Sequence, residues 1–129
     1  MIKLGIIQTT SYSTDECAKN TICRLLETLG KKETDVVCLP EQWLRQNTIS
    51  DFDSEFAKFK SIAKNYSLTV IPGAFYEKKS NSYAISAPVI GPLAISLASK
   101  KRFIPLTMRK RPYSVGQRLV SLKQVASLA

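Results

Sequence analysis

Apolar residues in the first 92 positions of the chain fall into two stripes at helical spacing and four short runs rich in apolar residues. The first stripe predicts a helix over residues 14–29, with Ser13 and Glu16 placed to form a capping box at its start. The second stripe predicts a helix over residues 52–65, with Asp51 as its N-cap. Both stripes indicate helices that pack one face against a core and present the other to solvent.

The four apolar-rich runs predict short strands, at residues 3–8, 35–41, 68–77 and 81–92. Pro72 and Gly73 interrupt the third run and predict a bend or a bulge there. The fourth run follows a polar turn, so we expect it to pair with the third run as a hairpin. Because strands and helices alternate along the chain, the pattern predicts a layered α/β domain with a mixed or parallel sheet.

Composition and charge divide the chain in two. With 129 residues and 44% hydrophobic content, it is long and apolar enough to form one domain with a core. Residues 1–92 contain every acidic residue and carry a net charge of +1, whereas residues 93–129 carry eight basic residues and no acidic ones. We therefore predict a near-neutral domain over residues 1–92 and a basic tail over residues 93–129. No apolar run reaches the roughly 18 residues of a membrane span, so we expect no membrane association.

The types of residue present exclude several classes of site. The chain has no histidine, which rules out Ser-His-Asp and Cys-His catalytic arrangements and His-containing zinc sites. Its five glycines are too far apart to form a phosphate-binding loop. We therefore expect no metal and no cofactor. The cysteines lack the spacing of a redox or zinc motif, and we expect reduced thiols in a cytoplasmic protein, at Cys17, Cys23 and Cys38.

Glu41 is the candidate catalytic residue. It ends a run that is continuously apolar from Val36 to Leu39, as in a strand buried on both faces. Open α/β sheets place their chemistry at the carboxyl ends of such strands. With partial burial, a carboxylate at this position is suited to general-base catalysis. The alternative is a solvated glutamate that only marks the end of a strand.

The four strand segments resemble, in order and spacing, the amino-terminal part of the nitrilase, or carbon–nitrogen hydrolase, superfamily. The resemblance rests on an L-P-E motif that ends at Glu41 and on an N-S motif that begins at Asn81, and it covers residues 1–92. It implies a partial α-β-β-α sandwich, usually assembled into homo-oligomers. It also implies a hydrolase of the nitrilase or amidase type, which cleaves a carbon–nitrogen bond in a small-molecule nitrile or amide.

The mechanism that this resemblance implies uses a Glu general base, a Lys and a Cys nucleophile. Only Glu41 matches by position. Lys100 and Lys101 lie near the expected lysine, but the residues that flank them differ from the family pattern. None of the three cysteines matches the nucleophile, because two fall in the first predicted helix and one falls inside the second strand. Since cooperating catalytic residues lose most of their effect when one is missing, the chain as given is expected to be inactive.

Residues 93–129 match nothing in this resemblance, and three explanations stay open. They are an out-of-frame or truncated reading of a carbon–nitrogen hydrolase, a divergent segment, and a functional basic arm. A basic arm would make the chain a small non-catalytic binding protein that engages nucleic acid or an acidic partner. A tail without acidic residues is expected to be disordered and to leave one face of the sheet uncovered. The residues expected on that face are Leu39, Val70, Ile71, Ile85 and Val89.

Overall fold

Seven strands form one sheet with the helices on one of its faces in the computed structural model of the chain, which describes residues 1–78, 80–93 and 95–105. The strands are β1 (Leu4–Ile6), β2 (Val36–Cys38), β3 (Thr48–Ile49), β4 (Thr69–Ile71), β5 (Phe75–Lys78), β6 (Ser82–Ile90) and β7 (Ile95–Pro105). The helices are α1 (Asp15–Lys31), α2 (Phe52–Glu55) and α3 (Ala57–Tyr66). The predicted α/β fold is confirmed. None of the described helices is long and apolar enough to cross a bilayer.

The sheet is mixed, as predicted. Strands β1, β2 and β4 run parallel, with Gly5 beside Val37 and Val37 beside Val70. Strand β3 is also parallel to its neighbour β5. Strand β6 is antiparallel to β4 and β5, which lie along one of its edges, and to β7, which lies along the other.

A bulge interrupts the third predicted strand. Val70 of β4 pairs with Ile90, and Phe75 of β5 pairs with Ser86, so five residue steps on one strand face four on the other. The extra residue lies between β4 and β5, where the sequence has its Pro-Gly dipeptide. The predicted hairpin is confirmed as well, because β5 pairs antiparallel with β6.

Helix α1 begins one residue later than predicted. Thr14 is the N-cap, since its backbone is extended and its Oγ1 accepts a hydrogen bond from the Cys17 N–H at 3.1 Å. The capping box predicted from Ser13 and Glu16 is therefore wrong, because this register places a cysteine at the third helical position. The helix also continues to Lys31, two residues past its predicted end.

Replacing Thr14 with alanine is expected to lower the free energy of unfolding by about 1 kcal/mol, because it leaves the Cys17 N–H without its acceptor. Ser13→Ala is the matched control, since the Ser13 side chain does not cap the helix, and we expect a change within about 0.5 kcal/mol. Urea unfolding of both variants measures the difference. A larger loss in Ser13→Ala than in Thr14→Ala would place the cap one residue earlier.

The second predicted helix is divided at Phe56. Helix α2 ends at Glu55 and α3 begins at Ala57, while Phe56 between them has φ −106° and ψ 22°. The Phe56 side chain is fully buried, and tertiary packing of this kind overrides local helix propensity. Asp51 caps α2 as predicted, because its side chain accepts a hydrogen bond from the Asp53 N–H at 3.1 Å.

Aromatic rings form the centre of the core between the helices and the sheet. Phe56 lies 5.2 Å from Phe59 and 5.4 Å from Phe75, measured between ring centroids. Trp43 stacks on Phe59 at 6.0 Å and meets Phe75 edge-on at 6.2 Å. Because Trp43 belongs to the loop that follows β2, this loop is packed into the core and does not lie free on the surface.

The opposite face of the sheet is most exposed at β1 in the described part of the chain. On β1, Leu4 and Ile6 are 62% and 75% exposed, whereas Gly5 between them is buried. Alternate residues of a strand point to opposite faces, so the buried face is the one that the helices cover. The exposed face is called the open face below.

Two of the five residues expected on the open face are not there. Leu39 and Val70 are 7% and 0% exposed and belong to the core on the helix side. Ile71, Ile85 and Val89 are half-buried, and each neighbours a residue that is buried on the helix side. Val70 and Ile71 could not both lie on the open face, because consecutive strand residues alternate between faces.

Strand β7 changes the expectation for the basic tail. Ile95–Pro105 pairs antiparallel with β6, and Ile95 packs against the core. The prediction that residues after 92 make no stable contacts is therefore wrong for this strand, because β6 offers an edge whose backbone groups need partners. Residues 106–129 lie outside the described residues. Disorder in that segment and a domain division at residue 92 stay predictions.

Candidate functional site

Glu41 lies just past the carboxyl end of β2, where the sequence placed it. Leu39 continues the pairing of β2 by donating its N–H to the Ile71 carbonyl oxygen at 2.9 Å. The chain then leaves the sheet, and residues 40–47, called the Glu41 loop below, lead to β3. The Glu41 side chain is exposed, so the expected partial burial is not found. The chain has left the sheet at this point, and Trp43 and Leu44, not Glu41, turn into the core.

The Glu41 loop is fastened to the bulge between β4 and β5 near Glu41 and to strand β5 at its far end. Near Glu41, the Trp43 indole N–H donates a buried hydrogen bond to the Pro72 carbonyl oxygen at 2.8 Å. At the far end, the Asn47 carbonyl oxygen accepts a hydrogen bond from the Tyr76 N–H at 2.8 Å. Together with the stacking of Trp43, these bonds hold the loop in one conformation against the sheet.

Backbone angles in this loop are unusual. Gln42 and Asn47 have φ of 58° and 50°, in the left-handed region that side-chain-bearing residues seldom adopt. Asparagine tolerates this region better than most residues, whereas glutamine has no such advantage. Residues held in such conformations cluster at functional sites, where the surrounding structure enforces them.

A shallow cleft of about 150 Å³ opens beside Glu41. Its lining residues are Glu41, Gln42, Asn47, Ala74, Phe75, Tyr76 and Ile85. Phe75 is buried in the core on the helix side, so its neighbour Tyr76 points to the open face. The cleft therefore places the Glu41 carboxylate on the open face, beside Tyr76 and Ile85.

Asn47 leaves one polar atom of this cleft without a partner. The residue is 8% exposed, and its Nδ2 donates to the Ala74 carbonyl oxygen at 3.2 Å. That bond fixes the orientation of the amide, and Oδ1 is then buried with no hydrogen-bond partner among the described residues. A buried acceptor without a hydrogen bond costs about 1–3 kcal/mol of stability. Other contacts of the loop must therefore offset this cost.

The cysteines do not complete a site with Glu41 in the described structure. Cys17 is exposed near the start of α1, where Asp15 accepts a hydrogen bond from the Arg45 N–H of the Glu41 loop at 2.8 Å. Cys23 is buried on the same helix, and burial raises the pKa of its thiol, which disfavours the reactive thiolate. Cys38 lies in β2 between Ile6 and Ile71 of the neighbouring strands and is half-buried. Its surroundings are those of a small apolar side chain.

Strand β7 brings the candidate lysines closer to the cleft than the sequence indicated. Its backbone register places Lys100 opposite Ile85, and Ile85 lines the cleft. Lys101 follows on the same strand. Lys100 therefore lies on the strand next to β6, and β6 contributes Ile85 to the cleft.

A larger depression lies elsewhere and carries no comparable chemistry. It measures about 370 Å³ and is lined by residues of α2 and α3 together with residues 91–93. Lys60 and Asp53, two of its charged residues, pair with each other at 2.7 Å. Among the described residues, no group of side chains is placed to hold a metal ion.

Solved structures of carbon–nitrogen hydrolases share this fold. A carbon–nitrogen hydrolase from Helicobacter pylori G27 has a TM-score of 0.64 and 21% identity, over 88% of this chain and 45% of that one. A double mutant of an amidase from Nesterenkonia sp. AN1, in complex with acrylamide, has a TM-score of 0.60 and 12% identity, over 78% and 42%. The C. elegans NitFhit protein has a TM-score of 0.61 and 15% identity, over 88% and 32%. The chain spans less than half the length of each.

Sequence comparison adds no further relatives, since neither a protein-family model nor a curated protein matches the chain. The structural matches nevertheless extend past the resemblance seen in the sequence. Residues 1–92 make up 71% of the chain (92 of 129 residues), whereas two of the matches cover 88%. Some residues beyond 92 therefore belong to the shared fold.

Sequence reasoning missed the residues that hold Glu41 in place. Trp43 and Asn47 form their bonds with Pro72 and Ala74, about thirty positions away in the sequence. No local pattern reports such contacts. The one available signal was the Pro-Gly dipeptide, which marked the irregular strand but not the loop that packs on it.

Proposed function

We propose that the chain is the glutamate-bearing, amino-terminal part of a carbon–nitrogen hydrolase of the nitrilase or amidase type, which acts on a small-molecule nitrile or amide. The observation that carries this proposal is the position of Glu41. It follows β2, which has parallel strands on both sides, it lines a cleft, and it does so in a fold shared with carbon–nitrogen hydrolases. The acrylamide bound to the neighbouring amidase supports a small amide as the substrate class.

In this proposal Glu41 is the general base. It would accept the proton of a cysteine thiol as the sulfur attacks the amide carbon, and the nitrogen would leave as ammonia or an amine. Water would then release the acyl group from the sulfur as a carboxylic acid. Lys100 or Lys101 would stabilise the negative charge that develops during the attack, and the register of β7 beside the cleft supports this role.

The nucleophile is the part of the site that the 129 residues do not supply. The open face and the cleft lie on the same side of the sheet, so a further layer that covered the face would also close the cleft. Such a layer is what the α-β-β-α sandwich implies, and it would be the natural place for the missing cysteine. We therefore propose that the chain by itself is inactive. As expectations from the same resemblance, we propose a cytoplasmic protein that forms homo-oligomers.

Purified 129-residue protein is expected to release no ammonia above background from acrylamide or from the corresponding nitrile, because the chain holds a base without its nucleophile. Ammonia is measured over time at substrate concentrations in the millimolar range, with Glu41→Gln as the matched control. Turnover that Glu41→Gln abolishes would show that a nucleophile is present after all. Cys38→Ser would then identify it, since Cys38 is the cysteine nearest to Glu41 in the sequence.

A non-catalytic binding protein is the second candidate function, and the charge of the tail favours it. Residues 93–129 carry eight basic residues and no acidic ones, so they attract polyanions whatever their conformation. Binding to duplex and single-stranded nucleic acid across a salt series discriminates the two functions. Salt-dependent binding that disappears when residues 106–129 are removed would support the arm, and its absence would leave the hydrolase proposal alone.

A further inference from the structure

The bulge between β4 and β5 lies directly against the backbone of Glu41. Gly73, in this bulge, has φ of 98°, where residues with side chains are strained. A Cβ atom built on Gly73 would lie 2.9 Å from the Pro40 carbonyl oxygen and 3.4 Å from the Glu41 Cα. The first distance is shorter than van der Waals contact, and both neighbours are backbone atoms that cannot rotate away. The two chain segments therefore touch with no room for a side chain between them.

The residues on either side of Gly73 also hold this loop. Three carbonyl oxygens around Gly73 accept hydrogen bonds from residues 39–47, and they belong to Ile71, Pro72 and Ala74. Gly73 itself contributes close backbone contact with Pro40 and Glu41. Contact at this point determines how far the Pro40–Glu41 peptide stands off the sheet.

We propose that Gly73 is a positioning residue for Glu41: because it has no side chain, the bulge can lie against the Pro40–Glu41 backbone and fix where the carboxylate enters the cleft. The inference rests on the proposed role of Glu41. It concerns the placement of that residue, however, and is tested in the 129-residue protein without any turnover. If the Gly73 proposal fails, the hydrolase proposal is unaffected. An activity assay does not test the Gly73 proposal, because the test measures the position of Glu41.

Gly73→Ala is the variant that separates the two segments. The added methyl group forces the Glu41 loop outward, and the indole N–H of Trp43 then loses its bond to Pro72. Trp43 is the only tryptophan of the chain, so its indole resonance in a ¹⁵N correlation spectrum is unambiguous. We expect exchange of this indole proton with solvent to become about tenfold faster or more, and the Glu41 amide resonance to shift.

Gly5→Ala is the matched control. A Cβ on Gly5 would crowd side-chain atoms of Thr34 and Val37 at 3.1 Å, within the β1–β2 core and away from the Glu41 loop. We expect this variant to lower the melting temperature while leaving the Trp43 indole exchange and the Glu41 resonance unchanged. The comparison separates displacement of the loop from general loss of stability.

Two results would overturn the proposal. One is a folded Gly73→Ala protein whose Trp43 and Glu41 signals match those of the unaltered chain, and the other is an equal change in Gly5→Ala. If Gly73→Ala does not fold, backbone ¹⁵N relaxation of the unaltered protein decides the question. An order parameter for Glu41 near the value of about 0.85 typical of rigid backbone supports the proposal, and one below about 0.6 contradicts it.

Discussion

Phe56→Ala is expected to lower the free energy of unfolding by about 3–5 kcal/mol, the largest loss from any single substitution considered for this chain. Phe56 is 0% exposed, and its ring contacts Phe59 and Phe75 at the centre of the core. Truncation removes apolar contacts and leaves a cavity. The rings and the two short helices around Phe56 cannot easily move to fill it. Because small domains are stable by only about 5–15 kcal/mol, the variant would lie near the limit of folding.

Leu25→Ala is the control for this measurement. Leu25 is on α1 and is 40% exposed, so its truncation is expected to cost less than about 1 kcal/mol. Urea unfolding followed by the Trp43 fluorescence measures both variants, since Trp43 lies 6.5 Å from Phe56 between ring centroids. A loss of less than about 1.5 kcal/mol in Phe56→Ala would mean that the ring is not the packed centre that the structure describes.

The second large effect concerns activity in a longer chain. Under the proposed function, a longer chain that supplies the cysteine nucleophile is expected to hydrolyse a small amide, and Glu41→Gln in that chain is expected to lower kcat/KM by roughly 10²–10⁴-fold. The loss follows because glutamine has nearly the same shape as glutamate but accepts no proton. The melting temperature should be almost unchanged, since the Glu41 side chain is exposed.

Gln46→Ala is the matched control for that substitution. Gln46 is exposed in the same loop but does not line the cleft, so its replacement is expected to leave kcat/KM within about threefold of the starting value. Ammonia release from acrylamide measures all three proteins. Equal activity in the Glu41→Gln and Gln46→Ala variants would remove Glu41 from the mechanism and reduce it to the end of a strand.

Local pattern was enough to predict β1, β2, β4, β5 and β6, the hairpin and the position of Glu41, but it predicted neither the short strand β3 nor β7. The apolar run from Val36 to Leu39 is typical of a strand, although only one face of the sheet is covered by helices, and the Pro72-Gly73 dipeptide interrupts the ladder. These features depend on residues that are adjacent in the sequence. The break at Phe56 was missed because the core position of one ring, which is set by distant residues, outweighs the helical tendency of its neighbours.

Contacts between residues far apart in the sequence determine the features that the sequence pattern did not predict. Glu41 is exposed because Trp43 and Leu44, not Glu41, turn into the core, and a strand pattern does not reveal this. Strand β7 was missed because its charge pattern is typical of a tail, whereas its pairing depends on the free edge of β6. Asn47 was missed for the same reason, since its partner Ala74 is 27 positions away.

The coding DNA downstream of codon 92 provides the most direct test of the central claim, that this chain is the glutamate-bearing part of an incomplete carbon–nitrogen hydrolase. Its three reading frames can be translated and compared with the pattern of the fold. The account predicts that one of them encodes a lysine-containing segment and, further on, a strand that carries a cysteine. The account would be contradicted if all three frames lacked a cysteine-bearing strand, because no source of the nucleophile would then remain at the locus.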